Sequence, residues 1–344
     1  MTAVYAIAHF AVDLGCAFAV FSGGSSALGF LLYNFFAFAV QMPLGLLADR
    51  FGKSRWFAIT GACLVFLICC LRELSLMAVC LLGLGNALFH VGGGVAVMDH
   101  AGDRAAELGV FVSPGAMGIY LGSMLTHRWV VLLVLGVCVG WMLAVKEKSV
   151  HSVMELPEKG VIPWAGLLFL VVVLRSYGGM TGSFSWKTGL WGLAAVTAVV
   201  LGKTCGGFLS DRFGAIRVSV CSLGLAAVLY GVGELPVCGV LAMFLFNMTM
   251  PITLFALAKA MPGCRGFAFG LLTFALFLGF LPTYLGAGSI GGFGMAVVAV
   301  SSLVLLVPGL GKLKNCASRQ PPPLRGAPTA GASPRPTGGT RVRS

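Results

Sequence analysis

The stretch Gly45-Leu46-Leu47-Ala48-Asp49-Arg50-Phe51-Gly52 lies between two apolar runs and decides the fold. A second copy reads Gly207-Phe208-Leu209-Ser210-Asp211-Arg212-Phe213-Gly214, at an offset of 162 residues. Both copies share the pattern G-x-L-x-D-R-x-G, and each connects two hydrophobic segments. The repeat predicts a chain made of two related halves.

The composition around these two stretches is that of a membrane protein. Of 344 residues, 58% are hydrophobic and only 10% are charged, with a mean hydropathy of +0.97. An ordinary soluble domain has about 25% charged residues. Apolar runs of about 20 residues, each long enough to cross a bilayer as a helix, recur along the chain. The 49 glycines suit closely packed membrane helices. We therefore expect an all-α membrane protein.

Twelve spans in two six-helix bundles fit the apolar runs, and the short links make neighbouring helices antiparallel. The expected spans are about 3–22, 27–47, 56–72, 75–98, 107–125, 129–146, 161–179, 188–208, 216–233, 236–258, 266–284 and 288–309. The first bundle is residues 1–146 and the second is 161–310, joined by a cytoplasmic linker at 147–160. Residues 311–344 are rich in Pro, Gly and Arg, which predicts a disordered cytoplasmic tail.

The basic residues fix the expected orientation in the membrane. With the N-terminus inside, the inner loops and the tail hold eighteen Lys and Arg residues, whereas the outer loops hold only Arg72, Arg128 and Lys187. This asymmetry predicts a multi-pass protein of the plasma (inner) membrane with both termini cytoplasmic. It also explains the net charge of +12 through anionic lipid headgroups, without a nucleic-acid partner.

Further positions align at nearly the same offset. Asp13 falls on Arg175, Gln41 falls on Lys203, and Asn86 falls within one residue of Asn247. Six predicted helices separate the copies, so both copies have the same orientation in the membrane. Such parallel repeats are related by an axis along the membrane normal.

The doubled G-x-L-x-D-R-x-G loop resembles the signature loop of the major facilitator superfamily of transporters. The resemblance implies alternating access, with the first, fourth, seventh and tenth helices lining a central cavity. It also implies a non-enzymatic monomer without cofactors, whose partners are a small-molecule substrate, protons and the lipid bilayer. In the fourth and tenth helices, Asn86-Ala87-Leu88-Phe89-His90 and Asn247-Met248-Thr249-Met250-Pro251 resemble the fosmidomycin-resistance-type branch. That branch exports small compounds in exchange for protons.

Three functions follow as alternatives. The branch resemblance, together with the Gly- and Pro-containing fifth helix around Pro114, favours a proton-coupled efflux antiporter for a small organic compound or drug. The second alternative is a proton symporter that imports an organic anion or a sugar. The third is a receptor or scaffold that transports nothing, which the charges buried in the membrane disfavour.

The few polar residues inside spans are the candidates for chemistry, because a charge in hydrocarbon costs at least about 2.5–3.5 kcal/mol on insertion scales. Asp13, His9 and His90 are the candidates for proton coupling, and His9 shares a helix face with Asp13. We expect Asp13 and Arg175 to oppose each other across the cavity, so that protonation of Asp13 changes their attraction. A fixed structural salt bridge is the alternative, and Arg175 could instead hold an anionic substrate group. The candidate cavity residues are Arg175, Asn86, Asn247, Asn34, Gln41 and Lys203, of which Lys203 could simply extend to the membrane surface.

The signature loops are expected to act as gates on the cytoplasmic side. In the family, Asp49 reaches the N-terminal end of the eleventh helix, which begins here near Arg265-Gly266, where free N–H groups favour an anion. Arg50, Lys53 or Arg55 could pair with Asp99. Structural turns without a gating role are the alternative. The gating residues are Gly45, Asp49, Arg50, Gly52, Lys53, Asp99, Gly207, Asp211, Arg212 and Gly214.

No other motif predicts chemistry. The eleven cysteines are scattered and contain no C-x-x-C pair, so the sequence predicts neither a metal site nor a disulfide framework. Gly202-Lys203-Thr204 resembles the end of a P-loop, but Thr197 stands where its first glycine would be. We expect no metal, no cofactor and no catalytic residue.

Overall fold

The computed structural model describes residues 1–23, 26–145 and 159–317, and its regular elements there are helices apart from one isolated β-bridge between Gly182 and Ile290. The first half contains α1 (Thr2–Ser22), α2 (Ala27–Asn34), a π-helical turn (Phe35–Ala39), α3 (Gln41–Phe51), α4 (Ser54–Cys69), α5 (Leu76–Ala101), α6 (Ala105–Val112), α7 (Pro114–Met124) and α8 (Arg128–Ala144). The second half contains α9 (Ile162–Thr181), α10 (Gly189–Phe213), α11 (Ala215–Gly231), α12 (Pro236–Asn247), α13 (Thr249–Ala260), α14 (Arg265–Tyr284) and α15 (Gly292–Ala317).

The all-helical membrane class is confirmed for the described residues. Nine helical segments are long and apolar enough to cross a membrane, if the interrupted pairs α2–α3, α6–α7 and α12–α13 each count as one. Three further apolar helices, α4, α8 and α11, have only 16 or 17 residues. They lie where the sequence predicts spans, but they are shorter than the roughly 20 residues that a bilayer requires. The arrangement of twelve spans in two bundles therefore stays a prediction.

The ends of the helices follow local chemistry. Ser26 and Ser75 cap α2 and α5, because each hydroxyl accepts a hydrogen bond from an N–H of the first turn. Gly52 and Gly214 follow α3 and α10 with φ of 63° and 90°, a conformation that favours glycine. The last glycine of each signature loop therefore makes the turn that the sequence predicts.

Large apolar side chains cover the outside of the helices. Leu190 is 84% exposed, Phe293 is 82% exposed and Leu285 is 77% exposed. A soluble monomer rarely exposes apolar surface on this scale. These side chains are placed to meet lipid.

The halves meet at two equivalent interfaces, α3 against α14 and α10 against α6. At the first, Gly45 lies so close to α14 that an added Cβ would strike the carbonyl of Gly266. At the second, a Cβ on Gly207 would lie 2.8 Å from the carbonyl oxygen of Ala105. The first glycine of each signature loop thus allows the opposite half to approach, as expected for a duplicated unit.

Two boundaries of the predicted domains need comment. The second bundle was expected to end at residue 310, but α15 continues to Ala317. The extension is packed, since Leu313 is buried and the ammonium of Lys312 lies 5.8 Å from the centre of the Trp164 ring. Residues 146–158 of the predicted linker region and the tail from 318 onward lie outside the described residues.

The close contact at Gly45 gives a stability prediction. Gly45→Ala should lower the thermal midpoint of the detergent-purified protein by roughly 1–4 °C, because overpacking costs about 1–3 kcal/mol. Gly140→Ala is the matched control, since a Cβ on this glycine of α8 meets nothing within 4 Å. It should leave the midpoint unchanged or raise it slightly through helix propensity. Equal midpoints for both variants would contradict the close packing of α3 on α14.

Candidate functional site

Four buried polar side chains form a cluster between α1 and α5. His9 and Asp13 are four residues apart on α1, and Asn86 and His90 have the same spacing on α5, so each pair shares a helix face. We call these four residues the His–Asp cluster. Gly115 of α7 closes one side, because an added Cβ would strike the side chains of Asp13 and His9.

Short polar contacts join the members of the His–Asp cluster. His9 Nε2 lies 3.1 Å from Asp13 Oδ2 and 2.8 Å from His90 Nε2. Asn86 Nδ2 donates to Asp13 Oδ1 at 3.1 Å, and His90 Nε2 lies 3.6 Å from the same oxygen. The polar partners that these contacts give Asp13 all come from its own half of the chain.

The contacts of the two imidazoles make the cluster a candidate proton site. His9 Nδ1 lies 2.7 Å from the carbonyl oxygen of Phe111, and His90 Nδ1 lies 2.9 Å from that of Asn86. A carbonyl oxygen only accepts, so Nδ1 is the donor in both contacts. The two Nε2 atoms then face each other at 2.8 Å, and the carboxylate of Asp13 would balance a proton shared between them.

The same three side chains are of types that bind metals. The nearest donor atoms of His9, Asp13 and His90 lie within 4.8 Å of one another, a proximity that the sequence did not predict. Tetrahedral zinc with Zn–N bonds of about 2.0–2.1 Å would hold two nitrogens roughly 3.3 Å apart. The observed nitrogen–nitrogen distance of 2.8 Å is that of a hydrogen bond. The geometry therefore suits a proton better than a metal, and the expected absence of a metal stays a prediction.

A cavity of about 440 Å³ lies between the halves, lined mostly by the second half. Arg175 of α9, Lys203 of α10, Tyr230 of α11 and Asn247 of α12 bring polar groups to it. The remaining lining is largely apolar and includes Val112, Ile119, Met243, Phe246, Met250, Phe269, Leu272 and Met295. The described residues that line the cavity include cations but no aspartate or glutamate.

Arg175 is a buried cation of this cavity whose hydrogen bonding is incomplete. Its side chain is buried, and its Nε atom has no hydrogen-bond acceptor among the described residues. The guanidinium lies 5.2 Å from the centre of the Phe246 ring, which gives a cation–π contact. The expected opposition of Asp13 and Arg175 is not observed, because Asp13 is taken up by the His–Asp cluster and does not line the cavity.

Lys203 extends from α10 toward the first half rather than to the membrane surface. Its Nζ atom lies 3.4 Å from the carbonyl oxygen of Val112, at the end of α6. The next residue, Thr204, donates to Ser113 Oγ at 2.9 Å. Lys203 therefore lies in the interface between the halves, with one side on the cavity.

The other predicted cavity residues divide into two groups. Asn247 lines the cavity as expected, whereas Asn86 belongs to the His–Asp cluster. Asn34 and Gln41 do not line it. The amide of Asn34 donates to the carbonyl of Phe30, and the amide of Gln41 donates to the carbonyl of Ala37. Each acceptor lies four residues earlier in the chain. The structure differs from the prediction for Asn34 and Gln41 because a buried amide on a helix readily bonds its own backbone.

Two aspartates tie the halves together at the end of the bundle that carries the signature loops, which we call the signature face. Asp49 accepts hydrogen bonds from the N–H groups of Gly266 and Phe267 at 2.7 and 2.8 Å. Asp211 accepts hydrogen bonds from those of Ala105 and Ala106 at 2.8 and 2.9 Å. Each carboxylate thus caps the first turn of a helix in the opposite half.

Ion pairs add to these caps at the signature face. Arg265 donates to Asp99 at 2.9 Å and links the start of α14 to the end of α5. Arg55, which was expected to pair with Asp99, instead donates to the carbonyls of Met142 and Leu143. Arg55 was one of three candidates for this pairing, and the free carbonyls at the end of α8 accept hydrogen bonds from its Nη2 group instead.

A further pair at this face is exposed. The ammonium of Lys259 lies 2.7 Å from Asp103 and holds the pKa of that carboxyl below its ordinary value. The lowered pKa means that the pair stabilises the closed face above the ordinary aspartate pKa and loses this effect as the pH falls. Because both side chains are largely exposed, the contribution is small. The two aspartate caps, of which Asp49 is buried, each accept two hydrogen bonds and are therefore the stronger connection.

Sequence reasoning missed the target of Asp211 and the aromatic neighbours of Arg175. The repeat could have revealed the target of Asp211, since the offset of 162 residues maps Gly266 onto Arg104, next to Ala105. Tyr230 and Phe246 gave no signal, because aromatic residues in an apolar helix look like ordinary packing.

The fold is similar to that of solved major facilitator superfamily transporters. A variant of the E. coli fucose:proton symporter FucP is 11% identical, with 90% of this chain and 97% of that chain covered and a TM-score of 0.61. A FucP structure in the outward conformation has the same identity and coverage, with a TM-score of 0.64. The human organic anion transporter MFSD10 is 11% identical, with 92% and 98% covered and a TM-score of 0.62. No family model and no curated protein matches the chain.

Identities this low show the fold alone. Together with the long apolar helices, they identify the chain as a multi-pass membrane protein with the fold of these transporters. The fosmidomycin-resistance-type branch is not among the similar structures named here.

The aspartate caps give a prediction for the signature face. Asp49→Asn should raise hydrogen–deuterium exchange at residues 265–268 about fivefold, and Asp211→Asn should do the same at 105–108. An amide can accept from only one of the two N–H groups and carries no charge, a loss of about 1 kcal/mol. The control is Asp103→Asn, which removes only the exposed pair and should leave both segments unchanged. Unchanged exchange in the two cap variants would mean that the caps do not hold this face closed.

Proposed function

We propose that this protein is a proton-coupled secondary transporter that moves a small organic anion together with a proton by alternating access. The observation that carries the proposal is the buried, unpartnered Arg175 in an apolar cavity that lies apart from the His–Asp cluster. The transporter fold supports the class of the function.

The cavity lacks an anion. A buried charge in a protein is normally paired, because removing it from water costs several kcal/mol. Arg175 and Lys203 both line the cavity, and no described carboxylate there neutralises them. A guanidinium matches the two oxygens of a carboxylate or sulfonate with two parallel hydrogen bonds. The substrate that best completes this site therefore carries such a group.

The rest of the cavity selects the body of the substrate. A volume of about 440 Å³ is that of a site for a small organic molecule. Met243, Met250 and Met295 supply flexible apolar contacts, and Phe246 and Tyr230 supply aromatic ones. An aromatic or branched aliphatic body suits this lining better than a sugar, whose hydroxyls would need more hydrogen-bonding groups.

Electrostatics favours symport. A proton on the His–Asp cluster adds a positive charge beside the cavity, and the poorly screened interior transmits its attraction for an anion. Protonation and anion binding therefore assist each other, which is the coupling that symport requires. Antiport needs the two to exclude each other, and the proton and the anion here use different residues. We expect the proton and the anion to cross together.

Proton-coupled efflux remains a second candidate because of the branch resemblance. Both ends of the motif Asn86-Ala87-Leu88-Phe89-His90 belong to the His–Asp cluster, which supports a functional role for this motif. A relationship to the fosmidomycin-resistance-type branch would favour export in exchange for protons. The direction of proton movement separates the two candidates.

The conformation follows from the proposed orientation. We infer from the excess of Lys and Arg that the signature face is cytoplasmic. We also propose that the protein acts as a monomer in the plasma membrane. The caps then close the cytoplasmic side, and the cavity extends toward Gly182, Phe184 and Lys187 on the outer side. The conformation is outward-facing, and release inside requires Asp49 and Asp211 to leave their helices.

Proteoliposomes that enclose a pH-sensitive dye test the proposed function. Aromatic and aliphatic carboxylates and sulfonates are screened first by the thermal shift of the purified protein. A sulfonate that binds is then added outside, with the membrane potential clamped by valinomycin and potassium. Sulfonates do not cross lipid as neutral acids. Symport predicts that the lumen acidifies, whereas antiport predicts that it becomes alkaline, and protein-free vesicles supply the baseline.

Two variants separate the proton from the substrate. Asp13→Asn should abolish the pH signal but retain binding of the anion, because the carboxylate that balances the bound proton is gone. Arg175→Gln should weaken anion binding about 10- to 100-fold, as expected for loss of hydrogen bonds to a charged group. Arg217→Gln, at an exposed position of α11, is the control and should change neither. Full binding in Arg175→Gln would exclude this arginine as the anion site.

A further inference from the structure

The break between α6 and α7 exposes three consecutive carbonyls to side chains. Pro114 has no N–H, and the last carbonyls of α6 lack donors within their own helix. Ser113 Oγ donates to the carbonyl of Val110 at 3.2 Å. The imidazole of His9 donates to Phe111, and the ammonium of Lys203 donates to Val112 at 3.4 Å. We call residues 110–114 the helix-break junction.

The junction joins the two sites that the proposed function keeps apart. His9 reaches it from the His–Asp cluster, and Lys203 reaches it from the cavity. The carbonyls that His9 and Lys203 contact belong to consecutive residues, so Lys203 attaches one residue away from the imidazole that contacts Asp13. Its hydrogen bond to Val112 is long, so this contact holds the ammonium only weakly. A flexible four-carbon side chain can redirect such a charge by rotation alone.

We propose that Lys203 couples the proton to the substrate by exchanging between the carboxylate of Asp13 and the anion in the cavity. This inference rests on the proposed function. When the His–Asp cluster holds its proton, the charge of Asp13 is balanced and Lys203 is free to join Arg175 at the anion. When the proton leaves, Asp13 carries an unbalanced negative charge that draws Lys203 away from the cavity. The anion then loses one of the cations around the cavity and its affinity falls.

Gln41 is the equivalent residue of the other half, and the difference between its contacts and those of Lys203 supports the role proposed for Lys203. Gln41 aligns with Lys203 at the offset of 162 residues, and both backbones pack on a glycine of the opposite half. A Cβ on Gly270 would strike the carbonyl of Gln41, and a Cβ on Gly109 would lie 2.8 Å from that of Lys203. The neutral Gln41 bonds only its own helix, whereas the symmetric position carries a charge that lies between two sites.

The other ionisable groups around the cluster do not provide the same exchange. His90 is part of the proton site itself, and Arg175 is held beside Phe246 on the far side of the cavity. Buried thiols and phenols in apolar surroundings stay neutral. The groups of this kind that face the cluster or the cavity are Cys16, Tyr33, Cys69 and Tyr230. Lys203 is therefore the described cation placed to respond to Asp13.

Binding of benzenesulfonate at pH 6 and pH 8 tests this role, because the probe stays anionic at both values. Wild type should bind it about tenfold more tightly at pH 6. Lys203→Met should bind weakly with a ratio of less than about twofold, and Lys203→Arg should restore the ratio. Asp13→Asn should bind with the tight affinity of pH 6 at both values, since nothing draws Lys203 away. The double variant should behave like Lys203→Met.

Gln41→Met is the matched control at the equivalent interface and should keep the wild-type ratio. A tenfold ratio that survives in Lys203→Met overturns the role of Lys203 and leaves symport intact. Wild-type binding that is strong but independent of pH overturns the proposed symport instead. The thermal midpoint of each variant shows whether it folds. If Lys203→Met does not fold, Lys203→Gln takes its place in the test.

Discussion

The rest of the structure depends on a carboxylate at the end of one helix that caps the start of another in the opposite half. Asp49 does this for α14 and Asp211 does it for α6, so the same contact occurs twice. The free N–H groups of a helix start need acceptors, and in this bundle they find them only if the halves meet. The caps therefore make closure of the signature face favourable, and the cavity is left open toward the other end. Close approach at Gly45 and Gly207 is the steric condition for both contacts.

Much of this could be predicted from the sequence, because the relevant signals were local or repeated. Hydrophobic run lengths gave the helices to within a few residues, apart from the extension of α15, whose packed Leu313 looks no different in sequence from a tail residue. The partner of Asp49 was predicted correctly through the family resemblance. The pairing of Asp13 was not predicted, because repeat symmetry places two residues at equal depth but says nothing of which neighbours satisfy them first. His90 and Asn86, on a different helix, were nearer than Arg175.

The two copies of the signature loop lie in parts of the chain with related contacts and opposite electrostatic character. Position 13 of the first half is an acid, and its polar neighbours satisfy it locally. The equivalent position 175 of the second half is a base beside an aromatic ring, and no aspartate or glutamate is among the described residues that line its cavity. A buried acid with basic neighbours stores a proton, whereas a buried base without an acid attracts an anion. One exchange of charge at a repeated position thus separates the proposed proton site from the proposed substrate site.

Two separate sites can influence each other only through a structural connection, and a continuous helix between them would connect them poorly. In a continuous helix each carbonyl is engaged by its own N–H donor, and side chains of neighbouring helices have little to hold. Pro114 removes one donor, and the end of α6 leaves the adjacent carbonyls free, so α1 and α10 can both attach to the same short segment. A shift of either attachment then displaces a backbone to which the other is bonded. The break in this helix costs little free energy where side chains replace the missing hydrogen bonds. These side-chain hydrogen bonds also bring His9 and Lys203 to the same segment.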